Sequence, residues 1–134
     1  MSIEELKKRF IVSEDHIKDR LEALVNRALN HCVIDEKGRV HIENKTIGGK
    51  DRIKLALAAR YLGSQLDPNI KGSMTSAELE ASTGLPMNQV RARVNDAIND
   101  TFAEKIGDGS YKPYANKIEA FLQSLPNSKP KKED

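Results

Sequence analysis

TSAELEASTGLPMNQVRARV, residues 75–94, holds two helix starts and one helix stop within twenty positions. Thr75 and Glu78 stand at the S/T-x-x-E spacing of a capping box, in which each side chain satisfies the other residue's free backbone N–H. The spacing predicts a helix of about two turns that stops at Gly84, since glycine enters the left-handed conformation of a helix end without a Cβ penalty. Leu85-Pro86 then leads straight into a second helix, Met87 to about Asn99. There Val90, Val94 and Ile98 fall at i, i+4 and i+8 with Met87 below them. That stripe is expected to be buried, with Asn88, Gln89, Arg91, Ala92 and Asn95 facing away.

Upstream, residues 50–66 are rich in good helix formers and apolar nearly all round from Ile53 to Leu62, as befits a central, buried helix. Asp67-Pro68-Asn69 ends it, because proline cannot continue the ladder. A short strand is expected near Lys71-Gly72-Ser73-Met74. Downstream, Phe102 to Ile106 and Tyr111 to Tyr114 flank the glycine-rich tip 107–110, the pattern of a hairpin. Ala115 to Leu125 closes the fold with a helix whose Ile118, Phe121, Leu122 and Leu125 share one face. The tail 126–134, PNSKPKKED, has no apolar anchor and is expected to be disordered.

From Lys50 on, the order is helix, short strand, helix, tight turn, helix, hairpin. Residues 75–94 within it resemble the helix-turn-helix of the winged helix-turn-helix DNA-binding family over about residues 50–114. Leu79 takes the inward place of the first helix, Gly84 the turn, Leu85 the plug, and Val90 and Val94 the inward places of the second. One departure is Glu80, where the family commonly has a small alanine. The resemblance implies a recognition helix, 87–99, that enters the major groove of double-stranded DNA. Asparagine and glutamine pair with adenine edges and arginine with guanine, so Asn88, Gln89, Arg91 and Asn95 are the right chemical types. Arg93 belongs to the same candidate set, although its stem can also lie along the protein. Thr75 and Ser76 are candidates for a positioning contact to phosphate at a helix N-terminus. In the wing, Lys105 and Lys112 are placed to reach phosphate or the minor groove, opposed by the acidic tip residue Asp108.

The N-terminal third, residues 1–45, reads as helices and a hairpin. Ser2 and Glu5 form another capping box, and a second helix is expected from near Ser13, with Ile17, Leu21, Leu24, Ala28 and Leu29 as its apolar stripe. CVIDEKGRVHIE, residues 32–43, reads as two short strands around Asp35-Glu36-Lys37-Gly38. Sliding the chain by 73 residues sets Ser2 over Thr75, Glu5 over Glu78, Leu6 over Leu79 and Ile17 over Val90, which hints at a degenerate first helix-turn-helix with Ile11 in the place of the turn glycine. Any two capped amphipathic helices at similar spacing would align in the same way.

The predicted fold class is therefore mainly α with small β-hairpins, α+β, in a chain of 134 residues, the size of one ordinary domain. No apolar run approaches the ~20 residues that span a bilayer. The start MSIEELKKRF lacks the apolar stretch of a secretory signal, so a cytoplasmic address is expected. The single cysteine, Cys32, excludes an internal disulfide. His31, Cys32 and His41 fall short of the four ligands of a structural zinc site, so no metal is expected. Gly48-Gly49-Lys50 is not a phosphate loop, because Asn44 and Asp51 stand where a glycine and a hydroxyl residue belong. No nucleophile has the setting of a triad, and neither an enzyme nor a cofactor is expected. A net charge of +2 is too small to indicate nucleic acid by itself.

Two functions fit these features. One is a transcriptional regulator that reads duplex DNA through residues 87–99, with a homodimer through the C-terminal or N-terminal helices as its assembly. The other is a winged-helix protein-interaction module in a larger assembly, meeting its partner through the face of Ile118, Phe121, Leu122 and Leu125 or through the N-terminal helix.

Overall fold

A computed structural model of the chain describes residues 2–10, 20–44, 46–107 and 109–125, with the side chains at 8 and 9 left aside. Among the described residues the fold is mixed α+β, with six helices and two small antiparallel sheets. Helix α1 spans Ile3–Phe10 and α2 spans Leu21–Ala28; strands β1 and β2, Cys32–Ile34 and Val40–Ile42, form a hairpin. The long helix α3 is Gly49–Leu66, followed by β3 at Met74–Thr75, α4 at Ser76–Thr83 and α5 at Met87–Asn99. Strands β4 and β5, Ala103–Ile106 and Ser110–Pro113, lead to α6 at Ala115–Ser124. No helix among the described residues is long and apolar enough to cross a membrane.

Helix α3 is the axle of the core. Ile53, Leu55, Ala56, Leu57 and Ala58 are fully buried, and α2, α4, α5 and both hairpins pack around it. The C-terminal helix contributes Ile118, Phe121 and Leu122, with Leu125 just beyond it, and Phe121 meets Phe102 edge to face at 5.2 Å. Arg20 pairs with Glu119, joining α2 to α6. In the second sheet β5 lies between β3 and β4, with Met74 opposite Tyr111, Thr75 opposite Ser110 and Ala103 opposite Pro113. The order helix, strand, helix, helix, hairpin read from residues 50–114 is thus present, and the strand before α4 is tied into the hairpin that follows α5.

Two expected faces differ from those observed. Leu29 does not join the buried stripe of α2: it caps the helix and stands 46% exposed, while Leu24 and Ala28 are buried. On α5 the third inward residue is Ala97, fully buried, whereas Ile98 is half-buried, because the helix turns 3.6 residues per turn and i+7 tracks the face as well as i+8. Helix α3 is central and buried as expected, and within it the one buried charged residue is Arg60. Residues 13–19 of the expected second helix, the turn position Ile11, and the tail 126–134 lie outside the described residues.

Arg60 is a cross-link rather than a surface charge. Its Nε donates to the Lys71 carbonyl at 2.6 Å, Nη1 to the Gly38 carbonyl at 2.9 Å, and Nη2 to Glu78 Oε2 at 3.0 Å. One planar guanidinium therefore holds the β1–β2 turn, the loop after α3 and the first turn of α4 together. Gly38 is fitted to it twice over: its φ of +90° is a left-handed conformation, and a Cβ there would stand 3.0 Å from the Arg60 guanidinium.

Candidate nucleic-acid interface

The turn between α4 and α5 is set by short-range chemistry. Thr75 Oγ1 accepts from the Glu78 N–H at 3.2 Å and Glu78 Oε1 accepts from the Thr75 N–H at 2.9 Å, so both arms of the predicted capping box are made. At the other end Gly84 takes φ +76° and returns its N–H to the Glu80 carbonyl. Thr83 Oγ1 donates to the Leu79 carbonyl at 2.7 Å and accepts from the Leu85 N–H at 3.2 Å, which fixes Leu85 as the half-buried plug of the turn. Pro86, extended at ψ 158°, is the N-cap of α5.

Helix α5 then divides by face. Val90, Val94 and Ala97 are buried toward α3, while Asn88, Gln89, Arg91 and Asn95 are exposed. No protein element covers that polar face among the described residues. Arg93 is set apart from them. Its stem passes over Gly49 at the start of α3, and its Nε is buried 3.3 Å from Asp96 Oδ2 without the alignment of a hydrogen bond. The acidic residues at the end of the helix are also occupied. Asp100 receives Lys50 at 2.9 Å and Lys54 at 3.0 Å, bonds that hold its carboxyl below the usual carboxylate range and raise Lys50 in return.

The N-terminus of α4 is less open than the sequence implied. The Thr75 hydroxyl and N–H are engaged by Glu78, whose carboxylate is an internal anion at the positive end of the helix. Burial disfavours the charge on Glu78, but the Thr75 N–H and the Arg60 guanidinium outweigh it and hold the carboxyl below its ordinary range. An incoming phosphate is left the Ser76 hydroxyl and the Ser76 and Ala77 amides, which no intrahelical carbonyl can reach. In the hairpin, Lys105 is exposed, whereas Lys112 is half-buried opposite Glu104 with its ammonium 5.8 Å above the Tyr61 ring. Asp108 lies outside the described residues.

Several charged groups near this surface carried no signal in the sequence. Arg52 donates to the Ile47 carbonyl at 2.8 Å and to the Thr83 carbonyl at 2.9 Å, so it is spent tying the start of α3 to the end of α4. Lys37 and Arg39, at the turn of the first hairpin, line a cleft of about 800 Å³ with Asp35, Arg60, Glu78 and Ser82 beside α4. Some forty residues separate these groups in the chain; only folding of the hairpin onto α4, through the Val40 N–H bond to Ser82 Oγ at 3.0 Å, brings them together. Asp35 is the organiser of that turn. A bond from His41 and backbone N–H groups of Arg39 and Lys37 lower its pKa to about 2.

The remaining candidates do not converge. His31 is buried and accepts from the Asn44 amide at 3.3 Å, Cys32 is buried with its thiol pushed up to about 12 by desolvation and by Glu43, and His41 sits exposed on Asp35. Among the described residues no three His, Cys, Asp or Glu side chains gather to hold a metal ion. Set beside known proteins, the chain matches no family model, no curated protein and no solved structure.

Proposed function

We propose that the protein binds double-stranded DNA, with α5 as the helix that enters the major groove and the β4–β5 hairpin as a wing beside it. The observation that carries this reading is the division of α5: four amide or guanidinium side chains, Asn88, Gln89, Arg91 and Asn95, exposed on a helix whose opposite face is buried against α3. A helix held from behind and bare in front, led in by a left-handed glycine turn, has the shape a groove accepts. The pairing of Asp100 with Lys50 and Lys54, and the nearness of Asp96 to Arg93, support it further, because they neutralise the acidic end of the helix that would otherwise repel phosphate. Contacts to the backbone fall to Ser76 and Lys105 more than to Thr75 or Lys112, whose polar atoms have partners within the chain. Regulation of transcription is the role such a module would serve.

Titration of labelled duplex at several salt concentrations tests the reading. Affinity is expected to fall with salt in proportion to the phosphates contacted, and Arg91→Ala to weaken binding by about tenfold or more, since one bidentate arginine contact is worth ~1–3 kcal/mol. Lys7→Ala, on α1, is expected to change neither. Binding that ignores salt, or that Arg91→Ala and Lys7→Ala weaken alike, would overturn it.

A protein-interaction module is the second reading, and the exposed apolar stripe of α1 favours it. The other surface named for a partner, the face of Ile118, Phe121, Leu122 and Leu125, is consumed by the protein's own core. The same burial weighs against a dimer through that face. Retention of one stoichiometric protein, with none on DNA resin, would select this reading over the first.

A further inference from the structure

Two apolar surfaces of the chain are open at once. The first is α1, an eight-residue helix closed by its Ser2–Glu5 capping box. Ile3, Leu6 and Phe10, at i, i+3 and i+7, form one stripe and stand 81, 50 and 89% exposed, with Lys7 flanking it at i+4 from Ile3 and Glu4 and Glu5 on the other faces. A helix this short has little stability of its own in water, and most helical stability comes from packing an apolar face. The second is a groove of about 340 Å³ between α2, β1 and the C-terminal half of α3. Buried Ala28, Cys32, Ala59 and Leu62 lie beneath it, the Ile34 side chain already covers Gly63, and Leu29, Val33 and Leu66 at its edge are 46, 40 and 61% exposed. Buried apolar groups below and exposed ones along the edge make an apolar surface on which a row of helix side chains can lie, the helix-in-groove mode of recognition.

We infer that the protein forms a two-fold dimer in which α1 of each copy lies in the α2–β1–α3 groove of the other. Three features of the chain select a second copy as the occupant. The ridge and the slot are both carried by every chain, and within one chain both remain open, so each copy offers what the other lacks. In a two-fold pair the exchange is reciprocal, so every ridge and every slot is filled and none is left free to propagate. Size agrees as well: α1 is ~12 Å long, and two such contacts would bury on the order of 1,200 Å², the lower end of a stable interface. The contact is independent of the DNA reading, since α5 and the wing take no part in it.

Sedimentation of the full chain over a broad concentration range tests the dimer. The mass is expected to climb from 14.9 kDa toward twice that value. Phe10→Asp on the ridge and Leu66→Glu on the rim change exposed side chains, so each is expected to leave the circular dichroism spectrum and melting of the monomer intact while holding it monomeric. Mixed together, these two variants retain one intact ridge-and-slot pair and are expected to recover a weaker heterodimer. The contact is read directly by oxidising a mixture of chains that carry Leu6→Cys or Leu66→Cys singly, which should yield a cross-linked pair containing one of each. A wild-type chain that stays monomeric, a dimer indifferent to Phe10→Asp, or a cross-link that forms only when both cysteines are on one chain would each overturn the inference.

Discussion

Helices α1 and α4 begin alike and end differently. Each is eight residues long, offset by 73 positions in the chain, and each opens on a capping box: Ser2 with Glu5 at 3.1 and 3.2 Å, Thr75 with Glu78 at 2.9 and 3.2 Å. Yet Leu6 in α1 is half exposed, while its counterpart Leu79 in α4 has no exposed surface. The cap fixes where a helix starts; whether it becomes part of a core depends on what arrives from elsewhere in the chain. Helix α4 is met by α3, by the β1–β2 hairpin through Ser82, and by Arg60 through Glu78. Helix α1 buries none of its three large apolar residues. The hint of a repeated helix-turn-helix therefore rests on the shared start of the two helices and not on shared packing.

The sharpest way to break this comparison is to truncate the matched leucines. Leu79→Ala is expected to cost ~3 kcal/mol, because it opens a cavity in a close-packed core, whereas Leu6→Ala should leave the stability of the monomer within ~0.5 kcal/mol. Urea denaturation at high dilution measures both. Equal costs would mean that α1 is built into the core in solution. A somewhat smaller effect is expected from Arg60→Met, which keeps the stem but leaves the Gly38 and Lys71 carbonyls and Glu78 without their donor. Removal of one partner from a buried pair costs ~3–5 kcal/mol, and since the Glu78 side chain is 43% exposed and water can replace part of the loss, about 2 kcal/mol is the expected figure. The variant should also loosen the first hairpin and α4 together, visible as faster amide exchange in both, while α1 is unaffected. Exchange that speeds up in one element alone would show that Arg60 does not couple them.

Gly38→Ala probes the same coupling from its other end. The residue is left-handed and its new Cβ would press on the guanidinium at 3.0 Å, so the backbone and the contact both oppose it. A loss of ~2 kcal/mol is expected, read by thermal unfolding. Gly84→Ala supplies the control, because Gly84 has a comparable φ of +76° but open space around it, leaving only the backbone term of ~1 kcal/mol. If the two glycines cost the same, Arg60 is free to move aside and the turn is not fitted to it.

The same contrast explains what could be read from the chain. Features that depend on a few consecutive residues were legible: both capping boxes, the Gly84 stop, the proline after α3, the hairpins and the inward valines of α5. These signals act over three to five positions, where side chain and backbone meet whatever the rest of the fold does. The buried guanidinium of Arg60 was not legible, because its partners Gly38, Lys71 and Glu78 come from three separate segments, and an arginine among alanines and leucines reads as the polar edge of a helix. The state of the proposed DNA surface was legible in part. The pattern of α5 placed Asn88, Gln89, Arg91 and Asn95 outside, but nothing local could tell that Lys112 would be drawn over Tyr61, that Arg93 would pack on Gly49, or that Glu78 would fill the N-terminus of α4. The C-terminal stripe of Ile118, Phe121, Leu122 and Leu125 was recognised as one face, and only tertiary packing settles that it looks inward.

The finest distinction lies in the caps themselves. Thr75→Ala is expected to cost ~1 kcal/mol of global stability, since it frees the Glu78 N–H of a helix that is part of the cooperative core. Ser2→Ala removes the same kind of bond from α1, but a helix that contributes nothing to the core has no lever on global unfolding; the loss should appear as fraying of residues 3–10, seen by amide exchange, with an unchanged midpoint in urea. Acid sharpens the contrast. The folded-state pKa of Glu78 is lowered, so its carboxylate stabilises the fold at pH values above the unfolded carboxylate pKa, and that contribution disappears as pH falls through the lowered folded value. Glu78→Gln should therefore flatten the acid limb of the stability curve, as should Arg60→Met, which removes one of the two groups that hold the carboxylate charged. Stability curves of Glu78→Gln and wild type that run parallel below pH ~5 would mean that neither the Thr75 N–H nor Arg60 holds the carboxylate charged, whereas an acid limb flattened by Glu78→Gln but not by Arg60→Met would mean that Glu78 caps its helix without being coupled to Arg60.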